Sequence, residues 1–153
     1  MCGLFCLIKK ENFSFDKKNL LKTRPYLNHR GPDDFNTFIC DNIFISHSRL
    51  EIIDKDNGQQ PMKEDGVVLI FNGEITNYLE LKKEIKNRVK FNTNSDTEVI
   101  LKLYKIYGKN FIKKVKGFFS IIIFDKNKNL LIVARDFVGF KPLYYYEDSS
   151  KIV

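Results

Sequence analysis

The feature that most constrains the fold is the grouping of apolar runs into closely spaced pairs. Gly117–Asp125 (GFFSIIIFD) and Leu130–Arg135 (LLIVAR) are separated by a short polar turn. Phe35–Cys40 and Ile43–His47 are separated only by Asp41-Asn42. Connections this short join antiparallel neighbours, because parallel strands need a crossover of a dozen or more residues. The pattern therefore predicts antiparallel sheets built from hairpins.

Further segments complete the predicted architecture. Other apolar runs predict strands over 3–8, 67–71 and 143–146. Helical periodicity predicts helices over 77–89, with Asn77 as N-cap, and 97–107, with Ser95 and Glu98 spaced as a capping box. A short helix is predicted over 16–22, capped by Asp16 and ended by Arg24-Pro25. About seven or eight strands and two or three helices predict an α+β fold, with helices outside two mainly antiparallel sheets.

Composition excludes several classes of protein. The 153 residues predict one domain, and a 43% hydrophobic content is typical of a globular chain. The net charge of +7 comes from scattered lysines rather than a basic stripe, which argues against a nucleic-acid partner. No apolar run reaches the 18 or so residues that a membrane helix needs, and the start does not resemble a signal peptide.

Three cysteines and two histidines limit the possible cross-links and metal sites. An odd number of cysteines without framework spacing argues against a disulfide scaffold and for a reducing, cytoplasmic location. Cys6 and Cys40 are interpreted as core residues. With only His29 and His47 available, no spacing typical of metal ligands occurs. Both histidines are interpreted as structural.

Cys2 is the candidate nucleophile. If Met1 is removed, Cys2 carries a thiol and a free α-amine on one carbon, and the amine can act as the base that activates the thiol. The alternative is an incidental residue at the start of a strand. Position alone favours that alternative, so the decision depends on the rest of the chain.

Polar residues at element ends supply further candidates, each with a structural alternative. Arg49 ends a strand and can grip a carboxylate, although it could also be a surface arginine. Asn72-Gly73-Glu74 follows an apolar strand and predicts a turn that presents backbone N–H groups to an anion. Asp96 can hold an ammonium group or stabilise a helix dipole. The 29–33 segment (HRGPD) predicts a structural turn.

Taken together, these segments resemble a known family. The motifs that carry the resemblance are Met1-Cys2-Gly3, His29–Asp33, His47–Asp54, Gln60-Pro61, Asn72–Ile75, Ser95–Glu98 and Ala134–Asp136. They occur in the order and spacing of class II glutamine amidotransferase domains, which are N-terminal nucleophile hydrolases. The resemblance is closest to the glutaminase domain of glutamine-hydrolysing asparagine synthetase, and it covers nearly the whole chain.

The resemblance implies a fold and a role for each matched residue. The implied fold is a four-layer αββα sandwich. Cys2 would attack the side-chain amide of L-glutamine, and Asn72 and Gly73 would form the oxyanion hole. Arg49 would bind the substrate carboxylate, and Glu74 and Asp96 its ammonium group. The pocket lining would include Leu50, Ile52 and Ile53. The expected products are glutamate and ammonia, formed through a thioester on Cys2.

The sequence also departs from the family pattern. Thr76-Asn77 stands where Tyr-Asn is frequent, and glutaminase domains of this type run on beyond the equivalent of Val153. We therefore expect residues 1–153 to be one glutaminase domain, incomplete at its C-terminal end. We also expect the synthetase domain, with its ATP and Mg, to lie outside residues 1–153, so that this chain alone could not make asparagine. It would use no cofactor or metal and would supply ammonia to a synthetase partner.

Two alternatives remain open at this point. The chain could be a catalytically silent glutamine-binding or regulatory module, or a nonfunctional fragment of an asparagine synthetase. The intact set of candidate site residues argues against a silent module.

Overall fold

The computed structural model describes residues 1–10 and 16–153. Across this part of the chain there are eight strands and four α-helices. The strands are β1 Gly3–Lys9, β2 Asp34–Cys40, β3 Ile43–Arg49, β4 Met62–Glu64, β5 Val67–Ile75, β6 Gly117–Asp125, β7 Leu130–Arg135 and β8 Lys151–Ile152. The helices are α1 Lys17–Leu21, α2 Thr23–Asn28, α3 Tyr78–Ile85 and α4 Asp96–Tyr107, with 3-10 turns at Gly108–Lys113 and Lys126–Lys128.

The strands form two four-stranded antiparallel sheets, as the hairpin pattern predicts. One sheet has the order β2-β3-β1-β8 and the other has the order β4-β5-β6-β7. Cys40 pairs with Ile43 across the first hairpin, and Asp125 pairs with Leu130 across the second. Asp41 and Asn129 adopt positive φ angles in the two turns, a conformation that Asp and Asn tolerate better than most residues. Both predicted hairpins are therefore confirmed.

The sheets and helices stack in four layers. The apolar layer between the sheets combines Ile43 and Ile45 of β3 with Val68 and Ile70 of β5, and Cys6 and Cys40 pack at its edge. Leu20 of α1 packs on the outer face of the first sheet. The largest cluster joins the outer face of β5 and β6 to α3 and α4. The predicted αββα sandwich is confirmed.

The boundaries differ from prediction in several places; the predicted helix over 77–89, for example, ends at Ile85. The 24–25 dipeptide does not end the helical region: Pro25 lies in the first turn of α2, where a missing N–H costs little. The predicted strand over 143–146 is wrong, and the strand at that end of the chain is β8, which pairs with β1. The 54–65 segment, predicted as a loop, contains β4, which pairs with the start of β5.

The helix caps follow the sequence only in part. The Asp16 carboxylate accepts hydrogen bonds from the N–H groups of the first turn of α1, as predicted. Ser95 Oγ accepts from the Glu98 N–H at 3.2 Å, which is half of a capping box. The Glu98 carboxylate instead accepts from the N–H groups of Asn92 and Thr93. It therefore fixes the segment that leads into α4 rather than returning to Ser95.

No helix in the described ranges, 1–10 and 16–153, is both long enough and apolar enough to cross a membrane.

Candidate functional site

A cavity of about 140 Å³ lies where the ends of β3 and β5 approach the residue before β1. It is smaller than the roughly 300–1,000 Å³ typical of sites for drug-sized ligands, so it fits a small metabolite. Every site residue predicted from the sequence lines it: Cys2, Arg49, Leu50, Ile52, Ile53, Asn72, Gly73, Glu74 and Asp96. The structure thus brings together all nine positions from four separate parts of the chain.

Cys2 is held by its neighbours on both its main chain and its side chain. The Leu50 N–H donates to Cys2 Sγ at 3.4 Å, and the Arg30 Nε donates to the Cys2 carbonyl at 3.1 Å. Burial raises the pKa of the thiol, although the Leu50 N–H and the charges of Arg49 and Arg30 oppose that rise. The thiol is therefore well placed but protonated near neutral pH, and it needs a base to become a nucleophile.

The 29–33 segment supports the site through contacts with residues that line the cavity. Besides the Arg30 contact, the Asp33 carboxylate accepts from the Glu51 N–H at 2.9 Å, and the Asp33 N–H donates to the Arg49 carbonyl at 3.1 Å. A Cβ on Gly31 would lie 2.3 Å from the Ser48 carbonyl oxygen, so only glycine fits there. This turn joins Cys2 to the loop after β3.

Asn72-Gly73-Glu74 lies within β5 and not in a turn, which corrects the sequence prediction. Asn72 pairs with Ser120, and Gly73 pairs with Phe119 of β6. Phe119 directs its main-chain N–H and C=O to Asp136, on the β7 side. Gly73 and Phe119 are therefore a non-hydrogen-bonded pair of the antiparallel ladder. The Gly73 N–H accordingly points away from β6.

β4 pairs only with residues 67–69 of β5. Beyond Leu69, side chains instead of a strand bind the edge of β5 that faces away from β6. The Phe71 N–H donates to Gln60 Oε1 at 2.6 Å, and the Ile75 N–H donates to Asp96 Oδ2 at 3.2 Å. The Gly73 N–H lies between these two on the same edge, because alternate residues of a strand direct their N–H groups alike. It faces the cavity that Cys2 also lines, in a position suited to an oxyanion.

Gly73 is required by the close approach of β6. A Cβ at this position would stand 2.0 Å from the carbonyl oxygen of Phe118. A larger residue at this position would therefore push β5 and β6 apart where Asn72 and Gly73 line the cavity.

Arg49 is buried, and its guanidinium organises the loop that follows β3. Its Nη1 donates to the Lys55 carbonyl at 2.8 Å and to Glu51 Oε1 at 3.2 Å. Its Nη2 donates to the carbonyls of Asp54 at 2.8 Å and Ile53 at 3.4 Å. The four Nη hydrogens are thus matched by four acceptors, only one of which carries a charge. Binding of a substrate carboxylate by Arg49 stays a prediction, and it requires Glu51 to move aside.

Two carboxylates also line the cavity. Glu74 is exposed, whereas Asp96 is 4% exposed at the start of α4. Burial raises the pKa of Asp96 to about 6, the Ile75 and Thr97 N–H groups oppose the rise, and the nearby Glu74 charge adds to it. A buried carboxylate with a raised pKa is stabilised by an arriving cation, which is the property expected of an ammonium site.

Several lining residues were not predicted from the sequence. They are Met1, Gly58, Gln60, Phe71, Thr97 and Lys141. Gln60 was part of a recognised motif, but without a role. Lys141 belongs to a loop that the buried Asp136 holds through the N–H groups of Phe140 and Lys141, and no local pattern marks it.

A second, larger cavity of about 430 Å³ adjoins the first and is lined mostly by apolar side chains. Cys2 and Asn72 are the two residues that line both cavities. They therefore stand in the partition between a polar pocket and an apolar one.

The family model described as "Glutamine amidotransferase domain" matches residues 1–153, the whole chain. This chain belongs to the glutamine amidotransferase domain family. The members of this family are enzymes. In this chain Cys2 lies at the wall of the cavity, within an αββα sandwich.

Individual relatives agree with this glutamine amidotransferase assignment. The chain is 40% identical over 151 residues to "Asparagine synthetase [glutamine-hydrolyzing] 1" of Bacillus subtilis, covering 95% of this chain and 24% of that protein. It is also 40% identical over 147 residues to "Asparagine synthetase [glutamine-hydrolyzing]" of Brassica oleracea, covering 94% of this chain and 25% of that protein. The chain thus spans about a quarter of the length of these relatives.

A solved structure supports the fold of this glutamine amidotransferase domain. The glutamine phosphoribosylpyrophosphate amidotransferase of B. subtilis superposes with a TM-score of 0.62 at 28% identity, over 74% of this chain and 27% of that one.

Among the residues that the structure describes, no cluster of three or more His, Cys, Asp or Glu side chains is arranged to hold a metal ion.

Proposed function

We propose that this domain hydrolyses L-glutamine to glutamate and ammonia through a thioester on Cys2. The observation that carries the proposal is the shared cavity of about 140 Å³, whose wall combines the Cys2 thiol, the Asn72 amide and the cavity-facing edge of Gly73. Family membership supports the reaction class. The roles of individual residues are those that the family resemblance implies, and their common place on the cavity wall supports them.

The first chemical step requires removal of Met1. The freed α-amine of Cys2 takes the thiol proton as Sγ attacks the amide carbon of glutamine, giving a tetrahedral intermediate with a negatively charged oxygen. The amine then returns the proton to the leaving nitrogen, the C–N bond breaks and ammonia departs. A single residue supplies both nucleophile and base, which suits a thiol whose pKa burial has raised.

The oxyanion is proposed to lie between the Asn72 side-chain amide and the Gly73 N–H. Removing one such donor typically costs about 3–4 kcal/mol of barrier. In the second half of the reaction water attacks the thioester, the α-amine takes a proton from that water, and glutamate leaves as the thiol is restored. The same two donors stabilise both tetrahedral intermediates.

The amino-acid end of glutamine is proposed to bind across the cavity. Its ammonium group pairs with Glu74 and Asp96, and its carboxylate displaces the Glu51 carboxylate from Arg49. The Arg49–Glu51 contact is long at 3.2 Å, and the Glu51 side chain is 31% exposed, so this exchange needs little rearrangement. Leu50, Ile52 and Ile53 form the wall beside the substrate.

The ammonia is proposed to serve an amide-forming reaction of the asparagine synthetase type, because the relatives carry that activity in their names. Any ATP and Mg would act in that synthetase part and not in residues 1–153. A cytoplasmic location is proposed from the three free cysteines.

The test is ammonia release from glutamine by purified protein whose Met1 has been removed. We expect release by the wild type and none by Cys2→Ala, which keeps the fold and permits the same processing. Equal rates of ammonia release by the two proteins would refute the proposed glutaminase activity. Glutamine binding without release by the wild type would instead support a silent binding module.

A further inference from the structure

Phe71, the residue before Asn72, has both of its main-chain groups bound by side chains. Gln60 Oε1 accepts from its N–H at 2.6 Å, and His47 Nε2 lies 3.3 Å from its carbonyl oxygen. In the part of β5 nearer its start, the corresponding groups face β4, since Leu69 pairs with Met62. Two side chains therefore replace a neighbouring strand at the point where the sheet edge opens onto the cavity.

The two contacts come from different layers of the molecule. His47 belongs to β3 in the opposite sheet, so its bond crosses the space between the sheets. Gln60 lies beside β5, and its Nε2 donates to Thr97 Oγ1 of α4 at 3.3 Å. Hydrogen bonds thus fix Phe71 both to the sheet that contains β1, the strand after Cys2, and to α4, the helix that carries Asp96.

The hydrogen at His47 can be assigned from its surroundings. His47 is fully buried, and burial lowers its pKa to about 4, with the Phe71 carbonyl opposing the change. The neutral ring has one N–H, and it must be on Nε2 because a carbonyl can only accept. Among the described residues Nδ1 has no hydrogen-bond partner, so the contact with Phe71 is the one polar contact of this ring there.

We propose that His47 and Gln60 are positioning residues for the oxyanion donors of this domain. They fix the main chain of Phe71, and the peptide unit that follows carries Asn72 and then Gly73. A small displacement of that unit moves both donors relative to the Cys2 thiol. This inference rests on the proposed glutaminase function and extends it to residues that do not contact the substrate's reacting amide.

The predicted signature is a loss of turnover without loss of substrate binding. His47→Met and Gln60→Met remove the polar contacts while filling the space, and each is expected to lower kcat about tenfold or more. KM should change by less than about twofold, because the groups proposed for the amino-acid end of glutamine are untouched. His47→Gln should recover most of kcat, since its amide can donate from nearly the place of Nε2.

The matched control is Ser46→Ala. Ser46 is the preceding residue on β3 and is equally buried, and its hydroxyl has no hydrogen-bond partner within residues 1–10 and 16–153. Its kcat and KM should equal those of the wild type. If His47→Met does not fold, Gln60→Met decides by the same criterion, with thermal melting measured for each protein.

Three outcomes overturn the inference. One is an unchanged kcat in folded His47→Met and Gln60→Met proteins. Another is a His47→Gln protein as slow as His47→Met. The third is wild-type protein without glutaminase activity, which refutes the proposed function as well, whereas the first two leave that function standing.

Discussion

The N–H of Leu50 donates to the Sγ of Cys2 across 3.4 Å, joining the loop after β3 to the residue before β1. This bond favours the thiolate, but burial of the sulfur outweighs it and the pKa of Cys2 is raised. A thiol with a raised pKa is a weak nucleophile near neutral pH. The site therefore depends on a base close to Sγ, and while Met1 is attached the nitrogen of Cys2 is an amide without basicity.

The first prediction is that activity follows removal of Met1. Partial digestion with a methionine aminopeptidase should give ammonia release in proportion to the processed fraction, measured by intact mass. The reason is that only the free α-amine, with a reference pKa of about 8, can take the thiol proton. Full activity in protein that retains Met1 would rule out this choice of base.

The second prediction concerns stability and is made at Asp96. Its folded-state pKa of about 6 lies above its ordinary value of 3.8, so the folded protein favours the protonated form. The stability from that preference is fully present below about pH 4 and is lost as the pH rises through about 6. Asp96→Asn should therefore raise the free energy of unfolding at pH 7 by on the order of 1–3 kcal/mol, while weakening glutamine binding.

Asp125→Asn is the control of opposite sign. Asp125 is also buried, but the Tyr104 O–H and Lys128 outweigh the effect of burial and lower its pKa. Its stabilising contribution is present above the ordinary aspartate pKa, so the variant should lose stability at pH 7. Urea unfolding at two pH values measures the free energy of unfolding of both variants. Destabilisation by Asp96→Asn at pH 7 would contradict the proposal that burial disfavours the ionised Asp96 carboxylate.

The third prediction is the acid limb of the pH–rate profile. The Asp96 carboxylate must be ionised to pair with the substrate ammonium, so kcat/KM should fall as the pH drops through about 6. The bound ammonium favours the carboxylate, so kcat should fall at lower pH than kcat/KM does. Asp96→Asn should lose this fall at about pH 6 and keep only the separate fall, at about pH 8, that protonation of the Cys2 α-amine causes. An unchanged limb in that variant would assign the ionisation to another group.

How much of this site was predictable from sequence differs by residue. Position at the end of an element makes Cys2, Arg49 and Asp96 candidates, but only the family resemblance assigns their roles. The placement of Asn72-Gly73-Glu74 in a turn was wrong, because Asn-Gly is a local signal and the strand is extended by distant groups. The edge bonds from Gln60 and Asp96 are made across 11 and 21 residues of sequence, beyond the reach of any periodicity.

The fold was predictable to a similar degree. The hairpins were found because their turns are short and their strands apolar. β4 was missed because its three residues, Met62–Glu64, are polar in part and follow a proline. The covering of Arg49 by loop carbonyls could not be inferred, since main-chain acceptors leave no mark in the sequence.

The fourth prediction tests the proposed exchange at Arg49. Glu51→Gln removes the carboxylate that competes with the substrate for Nη1, so KM for glutamine should fall about two- to threefold with kcat unchanged. Glu80→Gln, on an exposed position of α3, is the matched control and should leave KM unchanged. A rise in KM for Glu51→Gln would mean that Glu51 supports the site rather than blocking it.

The fifth prediction separates steric contact from backbone strain at two glycines. Gly108 has φ +55°, and apart from its neighbours in the chain no atom of the described residues lies within 4 Å of where a Cβ would stand. Gly108→Ala should therefore lower the free energy of unfolding by about 1–3 kcal/mol through conformation alone. At Gly73 a Cβ would meet the Phe118 carbonyl oxygen at 2.0 Å, and overpacking there adds about 1–3 kcal/mol to any conformational cost. Gly73→Ala should be the less stable protein in urea unfolding, and it should lose ammonia release even where it remains folded, because parting β5 from β6 moves the oxyanion donors. A Gly73→Ala protein with wild-type turnover would show that the donors do not depend on this strand contact.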